Sequence, residues 1–351
     1  MKHHLLFTIY LCYFSASVTY GQVTTSLGME GQAGWIIPHA EELRGISART
    51  PIGLQLSYSR LNTSKENWDI CNCFHYLGFQ LSYHDFRNSE ILGQATSLST
   101  FFEPILAATG KWEFTLKNGM GISYLNKVYD EETNPENTFF SNPLSFLLFV
   151  QPKVNYHIND QLDGNVSFIF NHISNGGQSQ PNRGMNFPMI GIGLSYIMDR
   201  QKMPHYEMDE IGNRLNIYMD AFSTTRKGRD IETRHFLIGA SLGTYYQLFP
   251  ISGLGAGIEL YNDPSLLEQD DSSSSSFLAG PYIAHHLIIG RFDFSQRFAY
   301  YFQKPDNYID NSFYQRYIIQ YNVWENLQFG IGLKVHGHVA ENLDFRLGWK
   351  F

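Results

Sequence analysis

The sequence predicts an all-β protein, an antiparallel β-barrel built to sit in a membrane, and three observations carry that prediction. Charged residues are only 17% of the chain while aromatic residues reach 15%, a balance suited to lipid-facing strands. Apolar and polar residues alternate along segment after segment, so odd and even positions occupy opposite faces. The chain ends in Leu343 to Phe351, a strand-like stretch whose alternation finishes on an aromatic residue. A soluble sandwich also alternates, but strand length, aromatic load and the terminal Phe351 together favour the membrane. No mature stretch reaches the ~18 uncharged apolar residues of a spanning helix. A chain of this kind crosses as strands, and those strands must close.

In chain order, Lys2, His3 and His4 precede the apolar run Leu5 to Phe14, and small residues lead to Thr19-Tyr20-Gly21. This is the pattern of a cleaved signal peptide over residues 1–21, with Cys12 inside it. Strands follow. Leu54, Leu56 and Tyr58 oppose Gln55, Ser57 and Ser59, and Leu77 to Tyr83 alternates in the same way. Trp112 to Tyr124 keeps one register straight through Asn118-Gly119, so it reads as one long strand despite a dipeptide that usually marks a hairpin. Phe146 to Ile158, Gln161 to Ser174 and Phe187 to Met198 come next. The second half continues through Arg214 to Ala221, Phe236 to Gly243, Leu254 to Leu260, Phe277 to Ile288, Phe292 to Phe302, Phe313 to Val323, Leu327 to Val335 and Leu343 to Phe351. Asp130 to Asn142 and Asp270 to Ser276 read as polar loops. The expectation is a barrel of about 14 strands, within a range of roughly 12 to 16. Residues 22–199 form its first half and residues 200–351 the extension that completes it, with two fused smaller barrels as the alternative.

The net charge of -8, with no basic block, argues against a nucleic-acid partner. The chemistry concentrates in one stretch, N-H-I-S-N-G-G-Q-S-Q-P-N-R-G-M-N from Asn171 to Asn186. By parity His172 and Ser174 lie on the face of Leu162, Val166, Phe168 and Phe170, and Asn186 lies on the matching face of the next strand. On a membrane barrel that is the lipid face, where polar groups cost several kcal/mol unless satisfied. A histidine and a serine two residues apart are a base and a nucleophile. The bland reading is that all three sit in solvated loop beyond the strand ends.

His172, Ser174, Asn175, Pro181, Asn182 and Gly184 match, as they stand, the signature of the lipid A 3-O-deacylase or acyloxyacyl hydrolase-like family, which this stretch resembles. L-G-Q-A-T-S-L-S-T-F-F-E-P before it, N-F-P-M-I-G-I-G-L-S-Y after it and the final L-K-V-H-G-H-V-A-E-N-L-D-F-R-L-G-W-K-F are similar to extended members. The resemblance implies a bacterial outer-membrane serine esterase that removes an ester-linked acyl chain from lipid A, with no cofactor and no metal. Ser174 is then the nucleophile, His172 its general base, and Asn175 and Asn182 the oxyanion donors. Short members are barrels of about eight strands, which covers the first half of this chain. One departure matters: the family pattern has a glutamate where this chain has Asn186. An amide orients a histidine but stabilises its charged form less, so Glu103 is a candidate substitute acid. The rival function is a catalytically decayed structural or channel-type barrel, with Lys117, Arg214, Asp220, Arg291, Asp293 and Arg346 filling the lumen with ion pairs.

Cys71 and Cys73 read as loop-tip thiols or an incidental bridge, since two ligands do not make a zinc site. His336 and His338 share a face with Lys334 and read as a hydrated lumen network rather than a metal pair. His285 and His286 point to opposite faces and make a poor chelate. Gly253, Gly255 and Gly257 read as small lumen-facing residues on a strand.

Overall fold

The computed structural model describes residues 23–351 apart from 39, 177–180, 209, 228–232, 270–274, 306–307, 310 and 338. The expected signal peptide, Cys12 and His338 lie outside the described residues. Eight strands come first: β1 (Val23–Gly34), β2 (Ile52–Asn62), β3 (His75–Asp85), β4 (Gln94–Thr109), β5 (Trp112–Leu125), β6 (Leu144–Asn159), β7 (Leu162–Ser174) and β8 (Met185–Met198). Each pairs antiparallel with the next, and β8 pairs with β1 from Thr25↔Met198 to Gly34↔Met189. Eight more follow: β9 (Leu215–Lys227), β10 (Arg234–Phe249), β11 (Ser252–Asn262), β12 (Phe277–Ile289), β13 (Phe292–Tyr300), β14 (Phe313–Asn322), β15 (Leu327–His336) and β16 (Val339–Lys350). This second ring closes through β16 and β9, from Phe345↔Ser223 to Lys350↔Tyr218.

The all-β membrane-barrel fold is therefore as expected, but residues 200–351 do not complete the first barrel. They form a second one. The reason is at the β1–β8 seam. Gly34 lies so close to β8 that a Cβ there would stand 2.1 Å from the Pro188 oxygen. The Trp35 N–H then bonds that oxygen at 3.1 Å. With β1 taking the free edge of β8, no edge remains for β9 to join. The reading of Trp112 to Tyr124 as one strand holds, within β5.

Both rings show the expected parity. Leu54, Leu56, Leu77, Phe79, Val166 and Ile192 face outward on the first, and Ile238, Ile283, Phe345 and Leu347 on the second. Inside the first barrel, Glu30 takes the Gln151 amide at 3.0 Å and Glu103 takes Lys153 at 2.9 Å. One end is stoppered by Phe74, Leu61 and Tyr76 with Tyr206 from the connecting segment, whose hydroxyl donates to the Thr63 carbonyl. The other end, where the long β1–β2, β5–β6 and β7–β8 loops meet, is capped by an apolar cluster containing Leu43, Phe86, Phe139, Phe140, Ile173, Met185 and Phe187.

The second lumen is held by charge. Arg346 bonds Asp220 at 2.9 Å and Asp344 at 2.7 Å, Arg297 bonds Asp220 at 3.2 Å, and Arg316 bonds Glu259 at 2.6 Å and also Asp344. Of the expected lumen set, Lys117, Asp220, Asp293 and Arg346 are buried inside, but Arg214 and Arg291 are exposed at the short-turn end because they precede and follow the strands rather than lie within them. Gly253, Gly255 and Gly257 face inward and make room for the Tyr245 and Tyr282 rings. His336 bonds Glu341 at 3.0 Å and Tyr301 at 3.2 Å, and His285 and His286 do point apart, to Ser252 and Asp293.

Removing one partner of a buried ion lattice strands the others. Asp220→Ala leaves Arg297 and Arg346 short of a carboxylate and is expected to destabilise the second barrel by about 3–5 kcal/mol. The shift in thermal unfolding of the detergent-solubilised protein checks this.

Candidate active site

The site grows from the last turn of parity on β7. Asn171 and Ile173 point inward, Asn171 donating to the Phe187 carbonyl at 3.3 Å and Ile173 entering the apolar cap. That anchorage forces His172 and Ser174 outward. Across the ladder His172 pairs directly with Asn186 on β8. The three side chains meet. Asn186 Oδ1 stands 2.7 Å from His172 Nδ1, and Ser174 Oγ stands 3.0 Å from His172 Nε2. With the amide oxygen on Nδ1, that nitrogen carries the hydrogen, and Nε2 is left to accept from the serine hydroxyl. The trio is half-buried at the long-loop rim. It is bordered on the outer face by Leu148 and Phe146 of β6, which oppose His172 and Ser174, and by Phe170.

Two neighbouring segments hold this geometry. The backbone of Ile37, just after β1, donates to the Asn186 carbonyl at 2.9 Å. The β5–β6 loop supports the β7–β8 loop from beneath: Arg183 and Gly184 donate to the Thr138 and Phe139 carbonyls, both at 3.1 Å. That loop is knit by Asn137, whose amide donates to Ile91 O at 2.9 Å and Lys127 O at 3.2 Å, and by Asn134, which reaches Ile91 O and Val128 O. At its exposed tip, the Asp130 carboxyl is held below the usual carboxylate range by the Thr133 N–H and hydroxyl and the Glu132 N–H. Composition marks this stretch as a polar loop. The Phe139-Phe140 pair inside it was the available sign that it packs.

Gly184, already part of the motif, makes a contact that spacing alone does not reveal. Its φ is +66, a left-handed conformation, and a Cβ there would lie 3.0 Å from His172 Cε1 and 3.2 Å from Ser174 Cβ. The imidazole therefore stands directly against a glycine backbone. Asn175 is buried, donating its side-chain amide to Ser141 Oγ at 2.9 Å and its backbone N–H to Asn182 Oδ1 at 3.2 Å. So Asn175 and Asn182 are joined to each other beside the serine, with Asn175's side chain turned inward.

Glu103 is not brought to the site. It lies on β4 across from Tyr76, near the opposite end of the lumen, bonded to Thr115 and Lys153. Inward parity on β4 rules it out as the acid behind His172. Cys71 and Cys73 form a disulfide in the β2–β3 loop, at the end remote from the trio, and the bonded sulfurs leave His75 as the ligand there.

The profile of the "Lipid A 3-O-deacylase (PagL)" family matches residues 53–195, and that of "Acyloxyacyl hydrolase, C-terminal domain" matches residues 213–351. Each profile falls within one barrel. No curated protein sequence matches the chain. Among solved structures, the outer membrane enzyme PagL is 15% identical, covering 47% of this chain and 97% of its own, with a TM-score of 0.35. Neisserial surface protein A is 9% identical, covering 50% and 95%, with a TM-score of 0.30. A Rh. blastica porin variant is 11% identical, covering 94% and 100%, with a TM-score of 0.19. At these TM-scores the structural likenesses carry no functional argument. The two profiles, laid end to end on two closed rings, place the chain in the lipid A 3-O-deacylase (PagL) family, as a two-barrel member whose second barrel is the acyloxyacyl hydrolase C-terminal domain.

Proposed function

We propose that this protein is an outer-membrane serine esterase that removes an ester-linked acyl chain from lipid A. The observation that carries the reading is the unbroken chain Ser174–His172–Asn186, assembled on the lipid-facing side of the barrel. Long loops of bacterial outer-membrane barrels face outward, so the trio stands at the depth where acyl chains join their headgroups. An acyl chain can lie along Phe146, Leu148 and Phe170 without entering the lumen.

In this reading, Ser174 Oγ attacks the ester carbonyl while His172 Nε2 takes its proton. The tetrahedral intermediate collapses, and the imidazolium returns the proton to the departing sugar oxygen. Water, deprotonated by the same nitrogen, then attacks the acyl-enzyme; the proton goes back to Ser174 and the fatty acid is released. Asn182, its oxygen anchored on the Asn175 N–H, offers its amide hydrogens to the oxyanion, and Asn175 positions it through Ser141. Each preorganised donor of this kind is worth a few kcal/mol. Asn186 fixes the tautomer and the ring plane, the task an amide performs in Cys-His-Asn proteases.

Lipid A from cells producing the protein is expected to lose one ester-linked chain by mass spectrometry, with the matching free fatty acid appearing. Ser174→Ala is expected to leave lipid A intact, a loss of at least ~1,000-fold in turnover. An unchanged acylation pattern in cells with confirmed wild-type expression overturns the proposal.

Two further variants probe the supports of His172. Asn186→Asp places a carboxylate behind the imidazolium that forms in the transition state, and kcat is expected to rise on the order of tenfold, about 1.4 kcal/mol. Gly184→Ala forces a Cβ against the imidazole in a backbone conformation that alanine disfavours. Turnover is expected to fall about 100-fold while the thermal unfolding midpoint moves by only a few degrees.

A further inference from the structure

We propose that the corner between β2 and β3 is a binding site for a phosphate monoester on a membrane-lipid headgroup, and that it holds the substrate while the trio acts. The inference rests on the lipid A reading and adds a recognition element to it. Two arginines line that corner. Ala48, Arg49, Thr50, Ile52 and Arg87 line a cleft of about 500 Å³. The register brings them to one corner: Ile52↔Asp85 is the last pair of the β2–β3 ladder, and Arg49 and Arg87 lie beyond it on the two strands' continuations.

Both arginines are carried by clamped backbone. Arg87 has a positive φ of 57 and donates its N–H to Asp85 Oδ1 at 2.7 Å, and the preceding Phe86 is locked in the apolar cap. Arg49 follows Ile46, also in the cap, whose carbonyl takes the Asn88 amide at 3.3 Å. One hydrogen bond thus ties the two loops that present the guanidinium groups. Asp85 is the carboxylate at this corner, and it is turned to the Arg87 backbone.

Position selects the ligand. Directly below the cleft the outer face is apolar, with Ile52, Leu54 and Tyr83 all exposed. Cations immediately above such a band sit at the level of lipid phosphates, and paired guanidiniums suit phosphate oxygens through bidentate, charge-assisted bonds. The β1–β2 loop links the cleft to the active site. That loop bonds Asn186 through Ile37 at one end and carries Arg49 at the other, with Glu42 bridging to Arg183 at 2.5 Å between them. Only β1 and β2 separate β8 from the cleft, on the order of 12 Å along the rim at the usual strand spacing. A headgroup of sugar size spans that interval.

The test uses the full chain in neutral detergent micelles, binding immobilised lipid A with its phosphates, lipid A stripped of them, and inorganic phosphate as competitor. The wild type and Ser174→Ala are expected to prefer the phosphorylated lipid by about tenfold or more. Arg49→Gln with Arg87→Gln is expected to erase that preference, and Arg49→Lys with Arg87→Lys to retain part of it. Competition by inorganic phosphate only at millimolar concentration supports a lipid headgroup as the ligand. Competition by inorganic phosphate as tight as the lipid itself, equal wild-type affinity for both lipids, or a preference intact in the double glutamine variant overturns the proposal. Binding requires no turnover, so an inactive wild type would sink the esterase reading while leaving this result readable.

Discussion

The pairing of β8 with β1 is the constraint on which the rest depends. Once that seam is made, the first sheet is closed and presents no free edge, as a hydrocarbon environment demands. Every residue on those strands is then committed to one of two faces. The polar side of β7 goes inward to Asp163, Asn165, Ser167 and Asn171, and the other side goes to lipid. His172 and Ser174 inherit the lipid side because parity cannot be broken without a bulge, and β7 pairs β8 in unbroken register from Leu162↔Tyr196 to Ile173↔Met185. The placement of the Ser174–His172–Asn186 trio on the outside of the barrel is thus a consequence of closure. It also suits a substrate that never leaves the bilayer.

The closed first ring is stoppered at both ends. Its long-loop end is filled by Phe86, Phe139, Phe140 and Phe187, and its other end by Tyr206 from the connecting segment. The apolar cap does two jobs. It seals the lumen, and it gives the β1–β2, β3–β4, β5–β6 and β7–β8 loops a common floor, so that Asn186, Gly184 and Arg87 are carried by backbone that is buried one residue away. Rigid support of this kind is what a hydrogen-bonded trio needs to stay in reacting geometry. The second barrel solves the same filling problem differently, with interlocked arginines and carboxylates rather than an apolar plug. Its ion pairs satisfy one another across the lumen, which leaves its outer face free to be as greasy as the first.

The seat of Asn186 keeps one contact that an acid at this position would make. Glu103, the expected substitute acid, is spent on Lys153 and Thr115 inside the lumen. The amide itself reaches His172 Nδ1. Orientation of the ring is preserved while the extra electrostatic stabilisation of a carboxylate is not, so geometry and charge are separable contributions at this position.

Much of this was legible in residue order alone. Alternation is a local property with a period of two, so the membrane-barrel class, the extent of β5 through Asn118-Gly119 and the outward placement of His172, Ser174 and Asn186 could all be read from the chain. Tertiary structure decided what depends on partners distant in sequence. Ring closure is one such case: parity says which way a side chain points but not which edge a strand joins, and only the β8–β1 and β16–β9 pairings show that the sixteen strands of the described residues close twice. The inward turn of Asn175 onto Ser141, the packing of Gly184 on the imidazole and the shared corner of Arg49 and Arg87 are others. Each joins segments that the pattern treats separately, and each is settled by burial and register rather than by spacing.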